Sequence, residues 1–314
     1  MIFIVRVSDS ERLSYSHKIF INVKIFDSMK KTLYITLALS LACACSKEEP
    51  ARIQDNEIRF NAILPATKAS DAGFADGDCF SLYAVERSGE EVLPLQVGGN
   101  FINNEKMTRT EGVFRAERSL YWGDNTCDFY AVYPYIGNIT TVDALPLSVQ
   151  TDQTGTGYEA SDLLFAKAEN WGRADGAVNL AFEHLLSKLV VKVVKGEKFE
   201  GEIPDDIVAH IYNTNVEYTF NFNTGSVDKN PFGAKRTITM NKLSNERFEA
   251  VIVPQNIEKK TPLVELTMGG IAYLLDYSLS FRAGYCHTVS LILNTSPDQE
   301  KIEISIDPSV DPMN

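Results

Sequence analysis

A chain of 314 residues that is 44% hydrophobic and 10% aromatic is long enough for one large or two ordinary domains with a real core. Its net charge of −12, with 42 acidic against 30 basic residues and no basic run, excludes the electrostatic footprint of a nucleic-acid binder. Its five cysteines form no CxxC pair, which excludes the usual zinc and redox motifs.

In chain order, residues 1–28 stand upstream of the run Met29 to Glu49, MKKTLYITLALSLACACSKEE. Lys30 and Lys31 form a basic head, Leu33 to Ala42 a short apolar stretch, and Ala42-Cys43-Ala44-Cys45 brings small residues up to a cysteine. The apolar stretch is too short for a spanning helix of about 20 residues. The order of the blocks predicts a lipoprotein signal peptide over 29–44, with translation starting at Met29 and residues 1–28 assigned too early. A genuine N-terminal extension is the alternative. Cys45 is the expected lipid attachment point, because Ala44 immediately precedes it; Cys43, behind Leu41-Ala42, is the weaker choice. Stable anchoring takes more than one acyl chain. Ser46 to Glu49 opens a tether over 45–56. It resembles the acidic export signal behind the lipidated cysteine of Bacteroidetes surface lipoproteins, which implies an outward-facing protein on the outer membrane. An ordinary solvated tether is the other reading.

The body reads as all-β. Phe80 to Val85, Phe129 to Tyr133, Leu189 to Val194, Ile211 to Phe222, Phe248 to Val253 and Thr288 to Leu293 are β-branched or aromatic runs. Turn clusters separate them: Asp76-Gly77-Asp78, Gly98-Gly99-Asn100, Asn223-Thr224-Gly225 and Gly269-Gly270. In the last run His287, Val289, Leu291 and Leu293 share one face. Asp143 to Gly157 is expected to be a surface loop, and a helical turn is expected around Tyr158 to Lys167. Short strands at this spacing argue for sandwiches or barrels, with room for two sandwiches and a break near residues 170–180. Cys79 and Cys127 fall inside apolar strand patterns and are expected to be buried free thiols; a Cys79–Cys127 disulfide is the alternative.

The order of local patterns resembles the fimbrillin-like (Mfa-like) family of Bacteroidetes. The segments that carry it are Ile58-Arg59-Phe60 through Thr67-Lys68-Ala69; Phe74 to Asp78 followed by Leu82-Tyr83-Ala84; Leu120-Tyr121-Trp122 with Phe129 to Tyr135; Ser161 to Ala166; Phe182 to Leu189; Val253-Pro254-Gln255; and Gly284-Tyr285. The resemblance implies two tandem transthyretin-like β-sandwich domains, here 57–176 and 177–314. It also implies a role as stalk, anchor or tip subunit of surface fimbriae, or as a related adhesin, with other subunits and a host or bacterial surface ligand as partners.

In polymerising members an Arg-directed protease cuts near the first strand, and a neighbour's strand fills the opened groove. Arg52 and Arg59 are the processing candidates by that resemblance. In the tail, Ile302, Ile304 and Ile306 alternate with Glu303, Ser305 and Asp307. They are read as a final strand of their own domain or as a donor strand. The tail lacks the tryptophan that many such tails carry.

Nothing assembles a catalytic constellation, and neither cofactor nor metal is expected. His184 falls on a structural position of the resemblance, His287 sits on an apolar face and His210 opens a strand. Ser187 has no G-x-S-x-G elbow around it. Asp71, Asp76 and Asp78 lack EF-hand spacing and read as a turn, and Asp205-Asp206 reads as an exposed acidic turn. Tyr121, Tyr130, Tyr133 and Tyr135 are expected mostly in the core. A glycan-binding surface lipoprotein of a nutrient-uptake system is the alternative function, and exposed aromatics forming a stacking platform would favour it.

Overall fold

The computed structural model describes residues 56–64, 73–258, 261–295 and 304–313. Asn56–Asn314 forms one compact unit. It is built almost wholly from strands, apart from a helical turn at Thr156–Glu159 and a 3-10 turn at Arg173–Asp175.

The first sheet is antiparallel. Its order is Glu183–His184, Leu164–Trp171, Cys127–Tyr133, Cys79–Ser88, Ile102–Thr110 and Val113–Ala116. Its central strands are apolar at nearly every position because both faces are covered. Phe80, Leu82, Ala84, Phe129 and Ala131 point into one core, while Tyr83, Val85, Tyr130 and Val132 point into another. A strand buried on two faces gains nothing from alternation, which is why these runs read as continuous. At the rim of the sheet Asp128, fully buried, accepts two hydrogen bonds from Arg87 at 2.6 and 2.9 Å and one from the Asn170 amide at 2.8 Å. A bidentate pair of this kind keeps a buried carboxylate satisfied.

The first core is closed by a two-stranded parallel ladder, Phe60–Ile63 beside Val178–Ala181. Phe60, Val178, Leu180 and Phe182 pack onto it, with Phe60 edge-on to Phe129 at 5.7 Å and Phe182 edge-on to Phe80 at 5.4 Å. The second core lies among the other face of the first sheet and two further sheets. One is ordered Asn241–Ser244, Arg247–Ile252, Ser187–Lys195, Tyr285–Leu293, Ile304–Pro312, with only the Ser187–Lys195 and Tyr285–Leu293 pair parallel. The other is ordered Lys235–Thr239, Val208–Asn215, Pro262–Met268, Ile271–Asp276. His287, Val289, Leu291 and Leu293 are all buried on one face, as the alternation requires.

Several expectations need correction. Residues 143–157 are not simply a loop: Leu145–Ser148 is a strand paired with Glu217–Asn221, and Val149 and Gln153 are buried. The helical turn comes earlier than expected. Leu164–Trp171 is a strand because Leu163 and Phe165 serve one core and Leu164 and Ala166 the other. The Ile211 to Phe222 run breaks at Val216, with Asn213 at φ 60° before the break. Cys79, Cys127 and Cys286 are free thiols, so the disulfide alternative fails; Cys127 is buried but Cys79 only half-buried. Burial, then the charges of Glu86 and Asp128, push the Cys127 thiol up to about 12. Such a thiol is a packing group and a poor nucleophile.

Candidate functional site

Three places carry the geometry on which function can rest: the first strand, the terminal strand and a polar cleft on the outer face of the five-stranded sheet.

The first strand is short and one-sided. Ile58 and Phe60 are buried at 5% and 6% exposure, and Arg59 projects into solvent between them. Main-chain bonds hold the segment at both ends: the Ile58 amide donates to Leu120 O (2.8 Å), the Trp122 amide to Asn56 O (2.9 Å), and the Val178 amide to Arg59 O (2.8 Å). On its other flank no ladder forms with the neighbouring strand Val113–Ala116. Two grooves of about 650 and 340 Å³ lie there instead, sharing Phe60, Asn61, Val113 and Phe114 in their walls. Exposed Arg59 sits at the lip of the larger.

The terminal strand differs. Ile304–Pro312 pairs antiparallel with Tyr285–Leu293 over nine residues, from Leu293↔Ile304 to Tyr285↔Pro312. Among the described residues it is the last strand of its sheet, and its outer edge pairs with none of them. Half-buried Ile304 and Ile306 pack against the second core. Met313 closes the strand: it is 6% exposed and its amide donates to Gly284 O at 2.7 Å. Cys45, Arg52 and Ile302 lie outside the described residues, as do Thr67 to Ala69 and Asp71.

The cleft, about 580 Å³, has a floor of Val190 and Val251 and is walled by Tyr158, His184 and Leu186 and by Asp311 to Met313 of the terminal strand. Glu249 is its electrostatic centre. It accepts Arg247 Nε at 2.9 Å and Nη2 at 2.6 Å on one oxygen and Lys188 Nζ at 2.7 Å on the other, and the Tyr158 hydroxyl bonds to it as well. Burial alone would raise the Glu249 carboxyl, but the Lys188 and Arg247 hydrogen bonds and charges hold it below the usual carboxylate range. Burial, then the Glu249 charge, push the Tyr158 hydroxyl well above its ordinary value. No reading of the sequence singled these residues out, because their meeting depends on strand register.

The remaining candidates have local work to do. His184 Nδ1 lies 3.0 Å from Asp162 Oδ1, and His210 Nδ1 lies 3.3 Å from Glu265. Ser187 is buried and donates to Tyr285 O at 3.2 Å. His287 accepts the Arg282 amide on Nε2 at 3.2 Å; burial, then the Arg282 charge, push it down to about 4. Asp76 takes up Arg109 (3.1 Å) and the amides of Glu111 and Gly112, and Asp78 the amide of Ala75, around Gly77 at φ 99°. These two carboxylates are thus engaged in tying the turn to the neighbouring Arg109–Gly112 hairpin and, through Asp78, to the Tyr133 hydroxyl. Asp205 and Asp206 are exposed. Tyr130 is buried and Tyr133 and Tyr135 half-buried, but Tyr121 is 59% exposed, contrary to expectation. Its neighbour Trp122 is buried, so Tyr121 has no flat aromatic partner there.

Gln153, also missed, is fully buried. Its side-chain amide donates to Val251 O at 2.8 Å and accepts the Val251 amide at 2.7 Å, replacing a strand at the edge of Arg247–Ile252. Only a polar residue in a polar segment was visible in the sequence, which is no signal of burial.

A family model described as fimbrillin-like matches residues 67–308. Among solved structures, a candidate cell-adhesion protein of Bacteroides uniformis superimposes with a TM-score of 0.63 at 21% identity, covering 83% of this chain and 100% of its own. A candidate cell-adhesion protein of Bacteroides ovatus gives 0.63 at 16% identity, covering 82% and 97%. At such identities the likeness is one of fold. No curated protein matches the sequence at a significant level.

Proposed function

The chain belongs to the fimbrillin-like family, and from that membership we propose that it is a cell-surface fimbrial subunit or accessory adhesin assembled by β-strand addition. The observation that carries this reading is the first strand. Phe60–Ile63 is four residues long, is paired along one side only among the described residues, and with Ile58 plugs an aromatic core while a groove stays open on its other flank. Removing it leaves an apolar slot beside the unpaired edge of Val178–Ala181, which another extended segment can refill. Cleavage at Arg52 or Arg59 is the proposed trigger, and Ile302, Ile304 and Ile306 are the proposed donor residues. The sandwiches over 57–176 and 177–314 are the two modules of this reading, although the two cores do not divide at that boundary: Val178, Leu180 and Phe182 belong to the first core, and Tyr83, Tyr130 and Phe165 to the second. The role is structural and not catalytic. Anchoring to the outer membrane is through lipidated Cys45.

Limited digestion with an Arg-specific protease, followed by electron microscopy and size analysis, tests the reading. A cut near Arg52 or Arg59 with growth of higher-order species is expected; no cut and no assembly counts against a polymerising subunit. Cys45→Ala is expected to move the protein from the membrane to the soluble fraction, whereas Cys43→Ala leaves it in place. A mature product carrying a peptide from residues 1–28 contradicts the lipoprotein reading.

A further inference from the structure

A sheet edge offers a row of unpaired amides and carbonyls to any other strand, and proteins blunt the edges they leave in water with charge, proline or bulges. Among the described residues, the four-stranded and five-stranded sheets end in four edge strands. Three of them are blunted. Lys235–Thr239 opens with exposed Lys235 and Arg236. Asn241–Ser244 carries exposed Lys242 and a register shift between Lys242 and Ser244. Ile304–Pro312 carries Asp307, Pro308 and Asp311.

The fourth edge, Ile271–Asp276, has none of these devices. Ile271-Ala272-Tyr273-Leu274-Leu275 is apolar without a break, and the one charge, Asp276, stands at the end. The strand pairs with Pro262–Met268 on one side and with no described strand on the other. Register sets Ile271, Tyr273 and Leu275 beside Met268, Leu266 and Val264, all buried in the second core. Yet Tyr273 and Leu275 are only half-buried and Ile271 is 51% exposed. On the opposite face Ala272 is exposed and Leu274, beside Glu265, is 57% exposed. A core-facing row this open to water means that the sheet stops one strand before its apolar face does.

We propose that this edge docks the same strand of a second copy, antiparallel, about a twofold axis through Tyr273. Residues opposite each other across strands share a face, so the core-facing row must meet a core-facing row. Centring on Tyr273 does this: Tyr273 meets Tyr273, Ile271 meets Leu275 and Ala272 meets Leu274. Each of these pairs is apolar. Asp276 meets Gly270, so no like charges oppose one another. An uncharged run offers nothing to a charged partner, whereas its own copy matches it on both faces. The two four-stranded sheets then become one of eight strands, and both open rows are covered. The contact is isologous. It is made by the uncut chain, so it does not rest on strand exchange.

The test is sedimentation of the full, undigested chain over a range of micromolar concentrations, with amide hydrogen exchange followed over residues 271–276. One strand pair is a small interface, so a reversible dimer with a Kd on the order of 10 μM is expected. Exchange over 271–276 should slow as the dimer forms. Leu274→Lys, at an exposed position opposite Glu265, is expected to weaken the dimer at least about tenfold, because it gives this edge the charge that the other edges carry. Ala272→Glu, also exposed, should act in the same direction, and circular dichroism checks that each variant keeps its fold. The register sets position 272 against position 274, so an equimolar mixture of the two variants should associate several-fold more tightly than either alone. A chain that stays monomeric at every concentration overturns the proposal, as does a dimer that neither variant weakens or a mixture no tighter than its components. Slow exchange over 271–276 in a monomer also overturns it, because a segment of the same chain then covers the edge.

Discussion

The first and terminal strands are both peripheral, yet they are held by opposite means. Phe60–Ile63 has four ladder positions and relies on deep side-chain burial beside a groove. Ile304–Pro312 has nine ladder positions, but its isoleucines are only half-buried. The first is a plug and the second a zipper. A plug leaves a well-shaped vacancy that favours a replacement, whereas a zipper can leave with little apolar loss to the core behind it. The contrast is the one that the strand exchange proposed above would require.

The most direct way to break this contrast is Phe60→Ala, expected to cost about 3–5 kcal/mol in urea unfolding because the ring packs against Phe129 in a closed core. A cost below about 1 kcal/mol would mean that the first strand is no plug.

Next comes pH, which acts on the second core. His287 is neutral in the fold, with its proton affinity pushed down to about 4 from 6.5. Between those values the unfolded chain binds the proton and the folded chain does not. Stability should therefore fall as pH drops from about 6.5 toward 4, by about 3 kcal/mol at most. His287→Phe should flatten that slope. Trp122 and Trp171 both belong to the first core. Tryptophan fluorescence that lags behind the loss of circular dichroism in acid would show that the two cores unfold separately.

Gln153→Ala is expected to cost about 2 kcal/mol, since it strands the amide and carbonyl of Val251 without partners. Smallest of all, Ile306→Ala on the zipper should cost about 1 kcal/mol. If it costs as much as Phe60→Ala, the distinction between the two strands disappears.

Much of this was legible in the chain. The continuous apolar runs at Phe80 to Val85 and Phe129 to Tyr133 announced strands, and the alternation from His287 to Leu293 announced a one-sided one. What stayed hidden depended on distant partners. Gln153 meets Val251 across 98 positions, and no local pattern shows that a loop glutamine will finish another strand's ladder. The Glu249 cluster arises because register sets Lys188, Val190 and Lys192 beside Arg247, Glu249 and Val251. Tyr121 shares an aromatic run with buried Trp122 and still faces water, because alternation in a segment with one isolated bridge assigns sides but not burial.

The first strand borders one core and the terminal strand the other. A subunit that receives through one and donates through the other therefore touches its two neighbours with unlike surfaces. Such a contact is heterologous: it has no twofold axis to exhaust it, and it ends only where a rotation happens to close a ring. In the strand exchange proposed above, symmetry more than affinity would then decide the form of the product, and a copy arriving with its groove still plugged would end a filament.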